Sequence, residues 1–292
     1  MANIMSIEKR DTILRLLCEG NSIRSITRLM GTNIRTVLRQ LEWAAGHCQR
    51  VMDEQFVNLH LGHVEVDEMW TFVGKKQARL TVEEKALRHD IGDEYLWYGI
   101  DQESMLIPAF LVGKRTGDNA RRFMRQLASR LWLPGPHESD RHAFGAGSYR
   151  PVIQISTDAF VAYPEAVDMF LGPYARFGTI VKEFRNSNIV YQPSEIVGSK
   201  RRAVFNLDGK ERSICTSHIE RSNLTVRTFM RRFTRLALGF SKKLEPLQWA
   251  VTLHMAYFNF CWQPRTLEDH MTPAMAAGLT NRPWTFGELM GS

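Results

Sequence analysis

The order of strand-like and helical segments after residue 60 constrains the fold of this chain most strongly. Runs rich in β-branched and aromatic residues predict strands at Val64–Val73, Leu96–Asp101 and Met105–Lys114, and a helix begins after Gly117. A polar loop is then expected at 135–149. A fourth strand, a second helix and a fifth strand are predicted at Val152–Thr157, Ala162–Phe170 and Arg176–Phe184. This order predicts a mixed β-sheet flanked by helices, which belongs to the α/β class.

The first 55 residues are predicted to form an all-α module. Helical patterns cover Ile7–Glu19, Ile23–Met30 and a third segment that begins at Ile34, with Gly20 and Gly31 between them. Short helices joined by a glycine turn are typical of a helix-turn-helix, whose last helix enters the DNA major groove with its polar N-terminal half. The candidate DNA contacts on that helix are Arg35, Thr36, Arg39 and Gln40. A plain helical cap is the alternative, since triplets of short helices are common.

The net charge and the cysteine spacing limit which binding partners and metal cofactors the sequence favours. The 292 residues carry a formal net charge of +7 and have a sequence pI of about 9.4, which favours an anionic partner such as nucleic acid. The four cysteines include no Cys-x-x-Cys pair, so neither a disulfide framework nor a zinc ribbon is indicated. The start of the chain lacks the apolar core of a signal peptide, and no long apolar run follows. These features predict a cytoplasmic protein that does not enter the membrane.

Three carboxylates stand at separate elements of this basic chain. Asp67 lies in the first strand, Asp158 ends the fourth, and Glu220 lies at the start of a long helical pattern. Mg²⁺ prefers oxygen ligands and uses a few carboxylates together with substrate phosphates, and two such ions can serve phosphoryl transfer. The three acids therefore predict a divalent-metal site that acts on a polyanion.

Other interpretations of these acids stay open. Strand alternation places Glu68 on the face opposite Asp67, and Asp101 ends a neighbouring strand, so both are second choices as metal ligands. Ser217 and Glu220 have the spacing of a capping box, in which the glutamate folds back onto a backbone N–H. Local spacing alone favours that structural role for Glu220.

The histidines give weaker signals. His218 fits a phosphate contact or a position near the metals, and an ordinary surface histidine fits equally well. His60 and His63 have the spacing of a ligand pair, but no further ligand lies near them in the sequence, so zinc is not favoured.

Two basic segments are candidates for DNA contact. An insertion between Arg185 and Ser217 contains Lys200, Arg201 and Arg202. A long helix is predicted from His218 to Leu238, and its candidate contacts are Arg221, Arg227, Arg231 and Arg232. Because a carboxylate stands at its start, this helix is predicted to follow DNA phosphates beside the site. The alternative is a solvated charged face on a helix that packs against the core.

Seven stretches match a known family in their order and chemistry. They are Val66–Gly74, Ser156–Ala159, Thr216–Thr225, Arg231–Leu236, Phe240–Lys243, Tyr257–Cys261 and Thr272–Gly278. Together they resemble the transposases of bacterial insertion sequences, specifically the insertion-sequence 1 family with its InsB-type catalytic domain. The resemblance covers roughly residues 62–290. The family often carries a zinc-binding cysteine cluster before its helix-turn-helix, and this chain has none.

The resemblance implies an RNase H-like fold with a DDE triad. On that basis Asp67, Asp158 and Glu220 are the catalytic acids and bind two Mg²⁺ ions, with Mn²⁺ as an alternative. The implied chemistry is hydrolysis of a phosphodiester at each transposon end, followed by attack of the freed 3′-hydroxyl on target DNA. The expected partners are the double-stranded DNA of the transposon ends and of the target. A homo-oligomer on DNA is expected because two ends must be paired.

These inferences define a domain plan and two competing functions. The plan comprises a helix-turn-helix module at 1–55, an RNase H-like catalytic domain at 60–265 that includes the basic insertion at about 185–216, and a C-terminal tail at 266–292. The predicted function is a DNA transposase. The alternatives are a transposase-derived DNA-binding regulator and an RNase H-like structure-specific nuclease. Intact acids at all three positions argue against the regulator.

Overall fold

The computed structural model describes residues 5–134, 151–185, 195–207, 209–234 and 238–291. Six strands form one sheet in the order β3-β2-β1-β4-β5-β6. Their bounds are β1 His63–Val73, β2 Gly92–Asp101, β3 Phe110–Gly113, β4 Ile153–Asp158, β5 Ala175–Arg185 and β6 Glu195–Phe205. The loop predicted at 135–149 lies outside the described residues.

The sheet is mixed, as the sequence predicts. β1 pairs in antiparallel fashion with β2 and in parallel with β4. β4 pairs in parallel with β5, whereas β2 with β3 and β5 with β6 are antiparallel. β1 and β4 are therefore neighbouring central strands that run in the same direction, and β4 ends beside the middle of β1. The prediction of an α/β fold is confirmed.

Helices cover both faces of the sheet. The α-helices are α1 Ile7–Cys18, α2 Ile23–Met30, α3 Ile34–Gln55, α4 Val82–Leu87, α5 Gly117–Arg130, α6 Tyr163–Phe170, α7 Ser217–Phe229, α8 Leu244–Phe260, α9 Pro273–Ala276 and α10 Phe286–Leu289. Short 3-10 turns lie at Gln77–Arg79, Gly172–Tyr174, Glu211–Ser213, Arg231–Phe233 and Glu268–His270. Of the helices in these ranges, none combines the length and apolar character needed to span a lipid bilayer.

The three N-terminal helices form where the sequence predicts them. The side chains of Ser6, Ser22 and Asn33 accept hydrogen bonds from backbone N–H groups in the first turns of α1, α2 and α3. Ile13, Ile26 and Val37 bury against one another in a small cluster. The later part of α3 packs along α8 and contributes its buried side chains to the main core. The helix-turn-helix assignment and the domain boundaries stay predictions.

The third strand is shorter than predicted, because the side chain of Asn259 takes both backbone hydrogen bonds of Ile107. The sequence predicts a strand from Met105, whereas β3 begins at Phe110. Met105 has a φ of 59°, which breaks the extended backbone. The Ile107 N–H donates to the Asn259 side chain at 2.9 Å, and the same amide donates to the Ile107 carbonyl at 3.0 Å. One side chain of α8 thus replaces a neighbouring strand at this point.

Two further elements differ from the prediction. The helix expected to reach Leu238 ends at Phe229, because Met230 leaves helical geometry and a 3-10 turn follows it. The basic insertion contains a strand, β6, that the sequence analysis missed. β6 extends the sheet by pairing along β5.

Candidate metal centre

Asp67 and Asp158 come together at one edge of the sheet. β1 and β4 run in parallel with Val66 opposite Thr157, so the residue that follows each of these is an aspartate on adjacent strands. Oxygen atoms of Asp67, Glu68 and Asp158 all lie within 4.8 Å of one another. We name these three residues the carboxylate cluster. Two acids that the sequence analysis paired are therefore neighbours, and a third stands beside them.

Glu68 joins the cluster although it was only a second choice. Its side chain lies on the face of β1 opposite Asp67, beside the point where β4 ends, and Arg115 bridges it to Asp158. Arg115 Nε lies 3.3 Å from Glu68 Oε2, and Nη2 lies 3.1 Å from Asp158 Oδ2. The guanidinium also lies over the Phe160 ring at 4.3 Å. Arg115 is thus the cation that holds these two acids together.

Burial and the neighbouring carboxylates raise the pKa values of Asp67 and Glu68. Burial raises the pKa of Asp67, a hydrogen bond from Asn223 opposes that rise, and the Asp158 carboxylate adds to it. Burial raises the pKa of Glu68 to about 8, and Asp158 is the second cause. Near neutral pH, Glu68 therefore keeps its proton unless a further cation stabilises the ionised form.

The cluster fits a hard divalent cation. Within the described residues, Glu68 Oε1 is buried without a hydrogen-bond partner. The Tyr163 hydroxyl is close enough to affect the pKa of Glu68, yet it also lacks a partner of hydrogen-bond geometry. Converging carboxylate oxygens are the donor set that Mg²⁺ and Mn²⁺ accept in proteins. An unpartnered oxygen in such a set is one that a metal ion would satisfy.

Glu220 lies near the cluster without joining it. Its Oε1 is 2.7 Å from Lys182 Nζ and 3.4 Å from Thr216 Oγ1. Glu220 and, more weakly, the Asp67 and Asp158 carboxylates raise the pKa of Lys182, although burial opposes the rise. The Lys182 ammonium therefore stands in the field of all three acids that the sequence analysis selected, and it is the partner of Glu220 in this structure.

The capping-box interpretation of Glu220 is wrong for this structure. α7 has Thr216 as its N-cap residue and makes no side-chain capping hydrogen bond. The Ser217 hydroxyl instead lies 3.0 Å from Cys215 Sγ. The glutamate is held by Lys182, so the structural role that local spacing favours does not occur.

Asn223 is a site residue that the sequence analysis missed. It lies one turn after Glu220 on α7, and its Nδ2 donates to Asp67 Oδ2 at 2.8 Å. Its Oδ1 accepts from the Tyr98 hydroxyl at 2.9 Å. Tyr98 is fully buried and stands opposite Asp67 on β2. This chain of hydrogen bonds fixes the orientation of Asp67, and the spacing of three residues after Glu220 is the sequence signal that predicts a shared helix face.

Glu65 anchors the start of α7 on the sheet. Its Oε2 accepts from the backbone N–H groups of His218 and Ile219 at 2.9 and 3.0 Å, and Oε1 lies 2.7 Å from His218 Nδ1. A carboxylate at a helix N-terminus satisfies unpaired N–H groups and the helix dipole. Cys215 Sγ is also within 4.8 Å of the Glu65 and His218 ligand atoms. Because Glu65 already accepts these hydrogen bonds, the group is interpreted as a structural anchor.

The remaining candidate ligands are separate from the cluster. Asp101 is buried and accepts from both the N–H and the hydroxyl of Ser104, at 2.9 and 2.7 Å, so it stabilises the turn after β2. His60 stacks on Trp132 with ring centroids 4.9 Å apart. His63 Nε2 lies 2.7 Å from Ser156 Oγ. The two histidines contact different partners and do not form a joint ligand pair.

The predicted DNA contacts lie on four elements: α3, β6, α7 and the 3-10 turn Arg231–Phe233. Arg35 and Arg39 are exposed on α3, where Thr36 and Gln40 are half-buried. On β6, Lys200 pairs with Glu183 at 2.6 Å, Arg201 donates to the Ile214 carbonyl at 2.8 Å, and Arg202 is exposed.

The arginines that follow Glu220 differ in exposure. Arg221 and Arg231 are exposed, whereas Arg227 is half-buried. Arg232 is turned inward: it donates to Ser241 Oγ at 2.8 Å, and burial lowers its pKa to about 10. The expected cationic face is therefore smaller than the sequence pattern indicates.

Comparison with known proteins leaves the family unassigned. No family model and no curated protein matches the sequence. Among solved structures, the Mos1 strand transfer complex is 12% identical over 88% of this chain and 81% of that chain, with a TM-score of 0.24. A pre-cleavage Mos1 transpososome is 9% identical over 88% and 82% of the two chains, also with a TM-score of 0.24. A Mos1 transposase paired-end complex with the left transposon end is 13% identical over 58% and 59%, with a TM-score of 0.18. TM-scores this low establish neither the fold nor the function.

Proposed function

We propose that this protein is a DNA transposase that hydrolyses a phosphodiester at transposon ends and transfers the freed strand into target DNA. The observation that carries the proposal is the carboxylate cluster, whose oxygens converge between the middle of β1 and the end of β4, within 4.8 Å of one another. The net charge of +7 and the exposed arginines on α3 and α7 fit a polyanionic substrate.

Asp67 and Asp158 are the proposed metal ligands on the sheet, Glu220 is the proposed third acid, and Glu68 offers a further oxygen. Two Mg²⁺ ions, or Mn²⁺ in their place, would supply activation of the attacking oxygen and stabilisation of the leaving one. Glu220 must exchange its contact with Lys182 to take part. Asn223 holds Asp67 in position, and hydrogen bonds to a metal ligand of this kind are part of a working site.

Arg115 and Lys182 have a second role in this proposal. Each neutralises carboxylates of the site in the structure as it stands, at 3.1 and 2.7 Å from Asp158 and Glu220. Once metal ions neutralise those acids, both cations are available to a DNA phosphate at the same edge of the sheet. Positive side chains that hold phosphates give affinity that depends on salt concentration.

The rest of the proposal concerns the architecture. The order β3-β2-β1-β4-β5, with β1, β4 and β5 parallel, Asp67 within β1 and Asp158 at the end of β4, supports an RNase H-like domain extended by β6. The N-terminal helices would read the transposon ends through the exposed start of α3. The protein would act as a homo-oligomer on DNA, since two ends must be joined.

A strand-transfer assay tests this function. Linear duplexes made from the DNA that flanks the gene are incubated with the full chain, Mg²⁺ and a circular target plasmid. A transposase nicks at a fixed end position and joins that end to the plasmid, and Asp158→Asn loses both products. Cleavage at branched or mismatched duplexes without joining would replace the proposal with a structure-specific nuclease. Tight end binding with no cleavage by the unaltered chain would replace it with a regulator.

A further inference from the structure

A row of aromatic side chains continues along β1 beyond the carboxylate cluster. Trp70 and Phe72 follow Glu68 at every second residue, so all three share one face of the strand. Phe240 stands beside Phe72, because the chain around Ser241 runs parallel to the end of β1 and bridges to Val73. Ring centroids are 5.7 Å apart for Trp70 and Phe72 and 4.5 Å apart for Phe72 and Phe240. We name these three residues the aromatic strip.

Lysine ammonium groups lie over the rings of the strip. Lys76 Nζ is 5.5 Å from the Trp70 ring centroid and 5.9 Å from that of Phe72. Lys242 Nζ is 3.5 Å from the Phe240 centroid. Both lysines are exposed. At the other end of the row, Arg115 lies over Phe160 and contacts the carboxylate cluster. Each ring of the strip therefore has a lysine ammonium within 5.9 Å of its centroid.

The strip is not an ordinary part of the core. Trp97, which stands opposite Glu68 on β2, is fully buried, whereas Trp70, Phe72 and Phe240 are each half-buried. Exposed lysines lie over the rings in addition to the contacts that the rings make with one another. Aromatic rings mixed with positive charge are the recurring composition of surfaces that bind single-stranded nucleic acid, where bases stack on rings and cations follow the backbone.

We infer that the aromatic strip binds unpaired bases of the DNA strand whose phosphate lies at the carboxylate cluster. This inference rests on the proposed function and adds the form of the substrate: a DNA end that is unpaired next to the reacting phosphate. A base stacked on Trp70 displaces the Lys76 ammonium, and the long lysine stem lets that charge move to the adjacent phosphate. The exchange is favourable because stacking of a base on an aromatic ring is stronger than an exposed cation–π contact.

The strand geometry sets which nucleotides reach the strip. Trp70 and Phe72 are two and four residues beyond Glu68, which places them roughly 7 and 13 Å away along the strand. Stacked bases follow one another at roughly 3.4 Å. The strip therefore contacts about the second to fourth nucleotide from the reacting phosphate.

A binding experiment without metal tests the strip apart from the chemistry. The full chain is titrated, in the presence of EDTA, into fluorescently labelled oligo(dT) of fifteen nucleotides and into a duplex of the same length, with anisotropy as the readout. Trp70→Ala should weaken binding of the single strand by roughly 5- to 150-fold, the loss expected for one stacked base, and should change duplex binding much less. Trp70→Phe should keep most of the affinity, and Lys76→Ala should reduce the salt dependence. Circular dichroism spectra check that each variant is folded.

Trp132→Ala is the control, because Trp132 is a second tryptophan that solvent reaches, with 42% exposure, and it stacks on His60 away from the strip. It should leave single-strand binding unchanged. Equal weakening of single-strand and duplex binding by Trp70→Ala and Lys76→Ala would reduce the strip to a phosphate contact and overturn the inference. Equal effects of Trp70→Ala and Trp132→Ala would overturn it too.

The outcome is separable from that of the proposed function. Asp67→Asn should stop cleavage without weakening oligo(dT) binding in EDTA, because it removes a negative charge beside the bound phosphate. If the strip binds single strands and the unaltered chain cleaves no DNA, the transposase proposal fails and the strip stands. If end cleavage occurs and Trp70→Ala leaves single-strand binding unchanged, the inference about the aromatic strip is wrong and the transposase proposal still holds.

Discussion

Glu65 and Glu68 lie three residues apart on β1, and their side chains are 0% and 1% exposed. Glu65 faces α7 and accepts three hydrogen bonds, two of them from the backbone N–H groups of His218 and Ile219. Glu68 faces the opposite side, where Arg115 contacts one oxygen at 3.3 Å and the other oxygen has no hydrogen-bond partner within the described residues. The two side chains are therefore equally buried, but Glu65 receives more hydrogen bonds than Glu68.

The difference separates a structural carboxylate from a candidate ligand. A buried charge is tolerated when hydrogen bonds or an opposite charge satisfy it, and it costs free energy when they do not. Glu65 is satisfied and fixes α7, which carries Glu220 and Asn223, against β1. Glu68 stands among like charges and gains most from a bound cation. Four measurements examine this contrast.

The largest effect is expected for Asp158→Asn in the carboxylate cluster. End cleavage should fall by more than roughly 100-fold, which is the upper end of the loss when only an outer hydrogen-bond partner of a metal ligand is removed. The thermal midpoint in the absence of metal should not fall, because the change removes one of several like charges. Asp168→Asn, an exposed aspartate on α6, is the control and should cleave normally. If Asp158→Asn cleaved DNA normally, the carboxylate cluster would not be the catalytic site.

Glu65→Gln and Glu68→Gln form the direct test of the contrast. Glu65→Gln should lower the free energy of unfolding by about 1–3 kcal/mol, because an amide cannot replace every hydrogen bond of the carboxylate and leaves buried groups unsatisfied. Glu68→Gln should be close to neutral at pH 7, since the pKa of Glu68 is about 8 and the amide resembles its protonated form. Urea unfolding of both variants measures these values. Equal losses would show that Glu68 is as structural as Glu65.

Stability should depend on pH and on Mg²⁺ through Glu68. The pKa of Glu68 rises on folding from about 4.5 to about 8, so the folded state holds a proton that the unfolded state releases. Stability without metal is therefore complete below about pH 4.5 and declines toward pH 8. Mg²⁺ binds the ionised form, so its stabilisation should be larger at pH 9 than at pH 6. When the Mg²⁺ concentration is ten times the dissociation constant, the bound ion raises the free energy of unfolding by about 1.4 kcal/mol.

Glu68→Gln is the control for that measurement, with thermal unfolding as the readout. The variant should lose this part of the pH dependence and most of the increase in Mg²⁺ stabilisation between pH 6 and pH 9. An unchanged pH profile in Glu68→Gln would assign the titration to another group.

The smallest effect is expected for Ser217→Ala at the start of α7. Ser217 makes no capping hydrogen bond, so its replacement should change the free energy of unfolding by less than about 0.5 kcal/mol. Thr81→Ala is the matched comparison, because Thr81 and Glu84 form a complete capping box at α4, and a lost N-cap costs about 1 kcal/mol. If Ser217→Ala lowered the free energy of unfolding by about 1 kcal/mol, Ser217 and Glu220 would form a capping box after all. Glu220 would then no longer be a candidate metal ligand.

Much of the fold follows from local sequence patterns. Asp67 was placed correctly on the face with Glu65, because alternation along β1 is a local property. The same rule placed Glu68 on the opposite face, also correctly, but it gave no sign that β4 ends beside this point, where side chains from both faces of β1 come within 4.8 Å of Asp158. β3 begins later than predicted because Asn259, 152 residues away, takes the hydrogen bonds of Ile107. No local pattern contains that contact.

The partners of the acids were beyond sequence analysis for the same reason. Arg115 is 47 positions from Glu68, and Lys182 is 38 positions from Glu220. Both pairings arise from the strand order, which places the start of α7, the middle of β1, the end of β4 and Lys182 of β5 near one another. Pattern and resemblance selected the acids, whereas the cations that balance them required the three-dimensional structure.

β6 has a further consequence for how copies of this chain meet. It is the outermost strand of the sheet, and an outer strand presents backbone groups that can pair with a strand of another molecule. Lys200, Arg201 and Arg202 place three consecutive positive side chains on it. A second copy brings the same charges, so the two edges repel each other. The charges on β6 thus oppose pairing of the exposed edges of two copies.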